Sequence, residues 1–161
     1  MTARHSRRTI AAAAAAAFVG RQLGAAAQET GREAANGVLV RRLFDEVYNR
    51  GDIDVADELL AEDFRPQNPE DEPGIDAFKQ RQRDNRRGRE AEFDSVETTI
   101  DILIASGESV FTRGLFLASR ESRGRPNISV TYLTHSICQD GRIYQVVGIV
   151  DPEVYLDQLA D

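Results

Sequence analysis

His135 is the residue of this chain best suited to acid–base chemistry, because the only other histidine lies at the extreme N-terminus. Histidine changes charge near neutral pH and is a frequent general acid or base. Residues 128–150 are predicted to form a β-hairpin that turns at Asp140-Gly141. A two-residue turn pairs His135 with Val146 and puts alternate side chains on one mostly apolar face. The residues of that face are Leu133, His135, Ile137, Tyr144, Val146 and Gly148. His135 on such a surface is either a catalyst or a hydrogen-bonded core residue.

Other reactive groups give little support for nucleophilic or metal chemistry. Cys138 lies three residues from His135, which puts the two side chains on opposite faces of a strand and argues against a Cys–His dyad. A single cysteine also excludes an intrachain disulfide. One usable histidine does not complete the usual zinc ligand sets, and the acidic run 70–72 does not match an EF-hand. We therefore predict no metal and no cofactor.

Several side chains could contact a ligand. The Tyr48 hydroxyl lies on the apolar stripe of the first predicted helix, Gln67 and Asn68 are loop amides, and Tyr144 shares the face of His135. Core packing or solvent exposure would explain each of them equally simply. The predicted ligand-binding residues are Tyr48, Phe64, Gln67, Asn68, Phe78, Leu133, Tyr144, Val146 and Gly148. The arginines between 81 and 89 could bind an anion, or could instead complement the helix dipole and the acidic segment before them.

These residues are positioned by an α+β arrangement. Apolar periodicity predicts helices at 38–50, 53–61 and 74–87, of which the first ends at Gly51 and the second is N-capped by Asp52. The proline-rich segment 64–73 is predicted as a loop. Strands follow at 92–105 and 109–119, then the hairpin, then a short helix that begins after Asp151-Pro152. The antiparallel sheet needs cover on one face, and the helices provide it.

Length and charge limit the possible functions. A chain of 161 residues is sufficient for one domain with a core. The net charge of −7 argues against nucleic acid as a partner.

The N-terminus resembles an export signal. Residues 1–27 combine basic residues, among them the pair Arg7-Arg8 of a twin-arginine motif, with a short apolar run and Ala25-Ala26-Ala27 as a cleavage site. The apolar run is too short to cross a bilayer, so no stable membrane insertion is expected. Cleavage near Ala27 would give a periplasmic or extracellular protein with a flexible lead-in at 28–37 and a domain at 38–161. A misassigned start codon with an alanine-rich tail is the alternative.

The domain resembles the SnoaL-like polyketide cyclases of the NTF2-like superfamily. The resemblance rests on Val40–Asp52, on Asp57–Phe64, on Ile104–Val110 and on the late segment Asp140-Gly141-Arg142-Ile143. It covers about residues 38–160. It implies an α+β cone in which a curved antiparallel sheet of about four long strands wraps three helices, with a short C-terminal helix and a pocket at the wide end. It also implies a possible homodimer through the outer face of the sheet.

The resemblance also shows where this chain departs from the cyclases. These usually carry an Asp-His pair where this chain has Pro66-Gln67, and a His-Trp-Asp run where it has Val146–Gly148. Their glycine-rich substrate loop is replaced here by the arginine-rich segment 120–125. The usual base is thus missing from both places. We predict an exported domain that holds a small, largely apolar molecule. The alternative is an isomerase, cyclase or hydratase with His135 as general acid or base.

Overall fold

The computed structural model describes residues 28–160. The predicted export signal at 1–27 lies outside the described residues. Residues 28–32 are helical and are assigned to an N-terminal unit, and a second unit begins at Glu33. The segment predicted as a flexible lead-in is therefore helical. In the second unit, the Glu33 carboxylate accepts a bond from the Gly107 N–H at 2.8 Å, and the Asn36 amide donates to the Gly107 carbonyl at 3.0 Å.

Four helices belong to the unit that begins at Glu33. Helix α1 comprises α-helical residues 33–42 and the π-helical stretch Leu43–Arg50, and it ends at Gly51 with φ of 78°. A 3₁₀ turn, Ile53–Val55, leads into the short α2, Ala56–Leu59. Helix α3 is Ile75–Glu92 and α4 is Pro152–Ala160. A further 3₁₀ turn is formed by Glu121–Arg123.

The predicted α+β architecture is confirmed, as a curled sheet packed against helices. Strands β1 and β2 are Leu60–Arg65 and Ser95–Thr98, and strands β3 and β4 are Ile102–Ser106 and Ser109–Ser119. The last hairpin consists of β5, Ile128–Gln139, and β6, Arg142–Val150. The order is β1-β6-β5-β4-β2, with β3 also paired to β4. Because β1 runs parallel to β6, the sheet is mixed and not purely antiparallel as predicted.

Two local predictions are wrong at the start of the domain. Asp52 makes no capping hydrogen bond and instead lies 3.4 Å from the Arg50 guanidinium. The predicted helix 53–61 ends at Leu59, and the chain continues as β1 through Phe64 into the segment predicted as loop. Pairing with β6 makes Leu60–Arg65 extended, and this long-range contact has no local sequence signal.

The strand predicted at 92–105 is divided at Thr99–Asp101. Both ends of the break remain bonded to β4, through Thr99 N to Leu115 O at 2.9 Å and Asp101 N to Arg113 O at 3.0 Å. A Cβ on Gly114 would lie 1.6 Å from the Thr99 carbonyl oxygen, so glycine is required where the two strands approach. The break turns Ile100 towards the main core, which is built around residues such as Leu43, Phe44 and Leu59.

The hairpin forms as predicted at its turn and differs beyond it. Asp140 and Gly141 have φ of 50° and 74°, and Gln139 pairs with Arg142. A β-bulge then changes the register, so that Cys138 pairs with Ile143 but Ile137 pairs with Gln145. Tyr144 is the extra residue.

This bulge overturns the predicted facing pairs and the predicted shared face. His135 lies opposite Val147, and Leu133 lies opposite Ile149. The side chains that face the core from β5 are those at even positions, with Ser136 fully buried. His135 and Leu133 therefore lie on the outer face of the sheet, while Val146 and Gly148 remain on the inner face.

A second, smaller core holds the C-terminal helix. Phe93, Ala118, Ile128 and Val130 pack there with Tyr155 and Leu159 of α4. Arg120, which is fully buried, donates to the carbonyls of Pro126 at 2.9 Å, Leu159 at 3.0 Å and Gln158 at 2.5 Å. Its guanidinium therefore satisfies the last carbonyls of α4, which have no partner within the helix.

Candidate functional site

A cavity of about 420 Å³ lies between α1, α3 and the inner face of the sheet. Helix α3 contributes one face, because residues at i, i+4, i+7 and i+11 lie on the same side of a helix. The lining residues of α3 are Phe78, Arg81, Gln82, Asn85 and Arg89. The opposite wall comes from β5 and β6, mainly through Thr134, Val146 and Gly148.

Aromatic rings form the apolar part of the lining. Phe44 of α1 stacks on Tyr132 of β5 with ring centroids 5.5 Å apart, and Phe64 meets Phe78 edge-on at 5.2 Å. The Tyr132 hydroxyl donates to the Thr99 carbonyl at 2.7 Å. Burial raises the pKa of Tyr132 to about 12, so its hydroxyl stays protonated at neutral pH. These rings make this part of the lining aromatic and apolar.

The mouth of the cavity is held by side-chain-to-backbone bonds. The side-chain amide oxygen of Gln67 accepts a hydrogen bond from the backbone N–H of Gly148 at 2.9 Å, which fixes the loop after β1 to β6. Arg81 donates to the Glu72 carbonyl at 2.8 Å and lies 4.0 Å from the Asp71 carboxylate. Asp71 is the one carboxylate among the described lining residues of this cavity.

Arg89 lies at the other end of the lining face of α3. Its guanidinium carbon lies 5.8 Å from the centre of the Phe116 ring, and within residues 28–160 it has neither an ion pair nor a side-chain hydrogen bond. A second cavity of about 270 Å³ begins here and shares Tyr48, Gln82 and Arg89 with the first. Burial lowers the pKa of Arg89 and raises that of Tyr48 to about 12.

Most of the predicted ligand-binding residues line the cavity. Those that do are Tyr48, Phe64, Gln67, Phe78, Leu133, Val146 and Gly148. Leu133 borders the cavity, but 54% of its surface is exposed because its side chain is on the outer face of the sheet. The role of these residues in ligand binding stays a prediction.

Three predicted residues do not line the cavity. Asn68 bonds within its own loop, where its Oδ1 accepts from the Glu70 N–H at 3.2 Å. Tyr144 is the bulge residue, and its ring lies 5.2 Å from the Arg65 guanidinium carbon. The His135 ring stacks on Phe111 at 4.5 Å, on the outer face.

His135 has a structural partner on that face. Its Nε2 and the Ser109 Oγ are 3.0 Å apart, and the two rings are inclined by only 7°. The imidazole therefore packs across two strands and does not reach the cavity, which removes the geometric premise for its predicted role as acid or base there.

Sequence reasoning missed the polar side of the cavity. Gln82, Asn85 and Arg89 line it, and only the arginine cluster gave a signal. Within that cluster, Arg83, Arg86 and Arg87 have carboxylate neighbours within 4 Å, at Asp54, Glu90 and Asp84 respectively. The helical spacing of Arg89 from Phe78 puts both residues on one side of α3. This spacing could have distinguished the arginines that line the cavity from those that face away from it.

Other candidate chemistry finds no support among residues 28–160. Cys138 is buried in the core, and burial together with the nearby Glu108 raises the pKa of its thiol to about 11. No three His, Cys, Asp or Glu side chains of this part of the chain are grouped so that they could hold a metal ion. None of the helices described is long and apolar enough to cross a membrane.

Comparison with known proteins identifies the family. A family model described as SnoaL-like polyketide cyclase matches residues 38–159. The curated proteins contain no match.

Solved structures share the fold over most of their length. TsrD from Streptomyces laurentii is 23% identical with a TM-score of 0.64, over 78% of this chain and 95% of that one. A SnoaL-like polyketide cyclase from Agrobacterium tumefaciens is 12% identical with a TM-score of 0.60, over 75% and 94%. An LEH-like epoxide hydrolase from M. tuberculosis is 17% identical with a TM-score of 0.62, over 80% and 92%. At these identities the likeness establishes the NTF2-like fold alone, as predicted.

Proposed function

The chain belongs to the SnoaL-like polyketide cyclase family, and from that premise we propose that it binds a small, largely apolar molecule in its cone without acid–base turnover. The cavity of about 420 Å³, with its aromatic wall, carries this proposal. That volume is in the range of small-molecule sites, which are mostly apolar with a few placed polar groups.

The polar groups of the lining support binding more than catalysis. The Tyr132 hydroxyl already donates its hydrogen bond to the Thr99 carbonyl. Burial raises the pKa of Tyr48 to about 12. A general acid or base works best with a pKa near the working pH. Gln67, at a position where the related cyclases carry part of an Asp-His pair, is an uncharged amide bonded to Gly148.

Binding can be tested with a neutral probe and two neighbouring substitutions. Val146 lies on the cavity wall, whereas Val147 pairs with His135 on the outer face. We expect biphenyl-4-carboxamide to bind the wild type in calorimetry, Val146→Trp to weaken it about tenfold or more, and Val147→Trp to change it less than about twofold. Absence of binding to the wild type, or equal effects of the two substitutions, would contradict the proposal.

An enzyme of the isomerase, cyclase or hydratase kind is the second candidate. Asp71 favours it, because its carboxylate lies at the cavity mouth beside Arg81. Turnover of an apolar substrate that Asp71→Asn abolishes while binding persists would establish this function in place of the first.

Export is proposed on the sequence of residues 1–27. The paired arginines, the short apolar run and the small residues at 25–27 support it. Replacement of Arg7 and Arg8 by lysine should stop secretion, and unchanged secretion would count against the twin-arginine route.

A homodimer through the outer face of the sheet is proposed as the assembly. This outer face carries a row of register partners, Ile104, Phe111, His135 and Val147, that crosses four strands. Ile104, Phe111 and Leu133 expose 59%, 49% and 54% of their surface. Contiguous exposed apolar surface of this kind is typical of interfaces.

A further inference from the structure

We propose that the cavity recognises an amphipathic carboxylic acid, whose apolar body packs on the aromatic wall and whose carboxylate binds Arg89. The inference rests on the proposed binding function and adds the charge of the ligand and its direction in the cavity. It is carried by the polarity gradient along α3 and by the unpaired guanidinium at the end of that gradient.

The lining face of α3 changes in polarity along its length. It begins at Phe78, which packs on Phe64, continues through the amides of Gln82 and Asn85, and ends at Arg89. The helix rises ~16 Å over these eleven residues, and its side chains lean back towards the N-terminus. A ligand about as long as a biphenyl acid can therefore contact both ends.

The acidic groups closest to this end already have partners. In the second cavity, the Glu90 carboxylate accepts from Arg86 at 2.9 Å. Asp94 accepts from the Ser122 backbone N–H at 2.8 Å and also from the Ser122 hydroxyl. Asp71, at the mouth, is beside Arg81. No carboxylate of the described residues lies within ion-pair distance of Arg89.

An unpaired and partly buried guanidinium lacks most of its hydration and gains from a matching anion. Burial is the main cause of the lowered pKa of Arg89, which is consistent with this cost. Tyr48 lines both cavities where they meet. Its hydroxyl has no hydrogen-bond partner among the described residues. Because its pKa is raised to about 12, the hydroxyl remains protonated and can donate to a carboxylate. Arg89 and Tyr48 thus provide donors of the kind that a carboxylate accepts.

The test compares biphenyl-4-carboxylate with biphenyl-4-carboxamide by calorimetry at pH 7. The two probes share shape and apolar surface and differ in charge. We expect the acid to bind the wild type about tenfold more tightly or better. Arg89→Met should remove this preference, because it should weaken the acid far more than the amide, whereas Arg89→Lys should retain part of the preference.

Arg87→Met is the matched control, because Arg87 lies on the same helix, is largely exposed and is close to Asp84. It should leave the preference for the acid unchanged. Equal binding of the acid and the amide to the wild type would overturn the carboxylate proposal and leave the binding function standing. Failure of both probes to bind would instead remove the binding function itself. A preference for the acid that survives in Arg89→Met would show that another cation is responsible.

Discussion

The Gln67 side-chain oxygen accepts a hydrogen bond from the backbone N–H of Gly148 at 2.9 Å. Gln67 lies in the loop after β1, and Gly148 lies in β6. In this chain the two segments are joined by an uncharged amide. The contact is therefore structural, and it shapes the mouth of the cavity.

Replacement of Gln67 by leucine should loosen this mouth. We expect the free energy of unfolding to fall by about 1 kcal/mol, since one partly exposed hydrogen bond is lost. The affinity for biphenyl-4-carboxamide should fall several-fold. Urea unfolding and calorimetry provide the two measurements, and Asn68→Ala, which changes the neighbouring amide outside the cavity, is the control. A larger effect from Asn68→Ala would contradict this account of the loop.

His135→Ala should leave ligand binding unchanged. The imidazole stacks on Phe111 and bonds to Ser109 on the outer face, so its removal does not reach the cavity wall. Titration of the same probe into the variant should give an affinity within about twofold of the wild type. Loss of a catalysed reaction in this variant, with the fold intact, would restore His135 as a candidate acid or base.

Ile104→Glu should dissociate the proposed homodimer. The substitution puts a charge in the exposed apolar row of the outer face, and burial of an unpaired charge opposes association. Light scattering coupled to size-exclusion chromatography should show a dimer for the wild type and a monomer for the variant. Val154→Glu, which changes an exposed apolar residue of α4, should remain dimeric. A monomeric wild type would contradict the proposed homodimer.

Arg120→Met should destabilise the protein by about 3 kcal/mol, because three carbonyl groups lose a charged donor in a buried setting. Thermal and urea unfolding would measure the loss. Arg125→Met, at an exposed position of the same loop, should stay within about 0.5 kcal/mol of the wild type. Equal stability of the two variants would show that α4 is held by its apolar contacts alone.

We expect the folded protein to lose stability at alkaline pH because of Tyr48. Because burial raises its pKa from 10.0 in water to about 12 in the fold, the folded state favours the protonated phenol. That contribution is complete below pH 10 and disappears as the pH rises through about 12. Denaturant titrations across this window should show a steep loss for the wild type and a shallower one for Tyr48→Phe. Parallel curves would place the Tyr48 hydroxyl in solvent.

The sequence was sufficient to predict the family, the order of most helices and strands, and the hairpin turn. Asp140-Gly141 has a local signal, since positive φ at both residues is favoured by this pair. The wall residues Val146 and Gly148 followed from alternation along a single strand. These predictions depend on neighbours in the chain.

The parts that were missed depend on contacts between distant segments. The bulge at Tyr144 shifts the pairing of β5 with β6 by one residue, so that odd-numbered residues of β5 face odd-numbered residues of β6 beyond it. No residue type near the bulge predicts this shift. Strand β1 exists because β6 provides a parallel partner. The position of Arg89 follows from the full length of α3, which extends to Glu92 and beyond the predicted end at 87.

The bulge at Tyr144 also has an evolutionary consequence. Deletion of that single codon would leave Gln145 opposite Ile137 and Val146 opposite Ser136, because Tyr144 is the one residue of this stretch without a partner on β5. Val146 and Gly148 would therefore still face the cavity. A lineage with this hairpin can lose the bulge in one mutational event and keep the chemistry that β6 presents to the cavity.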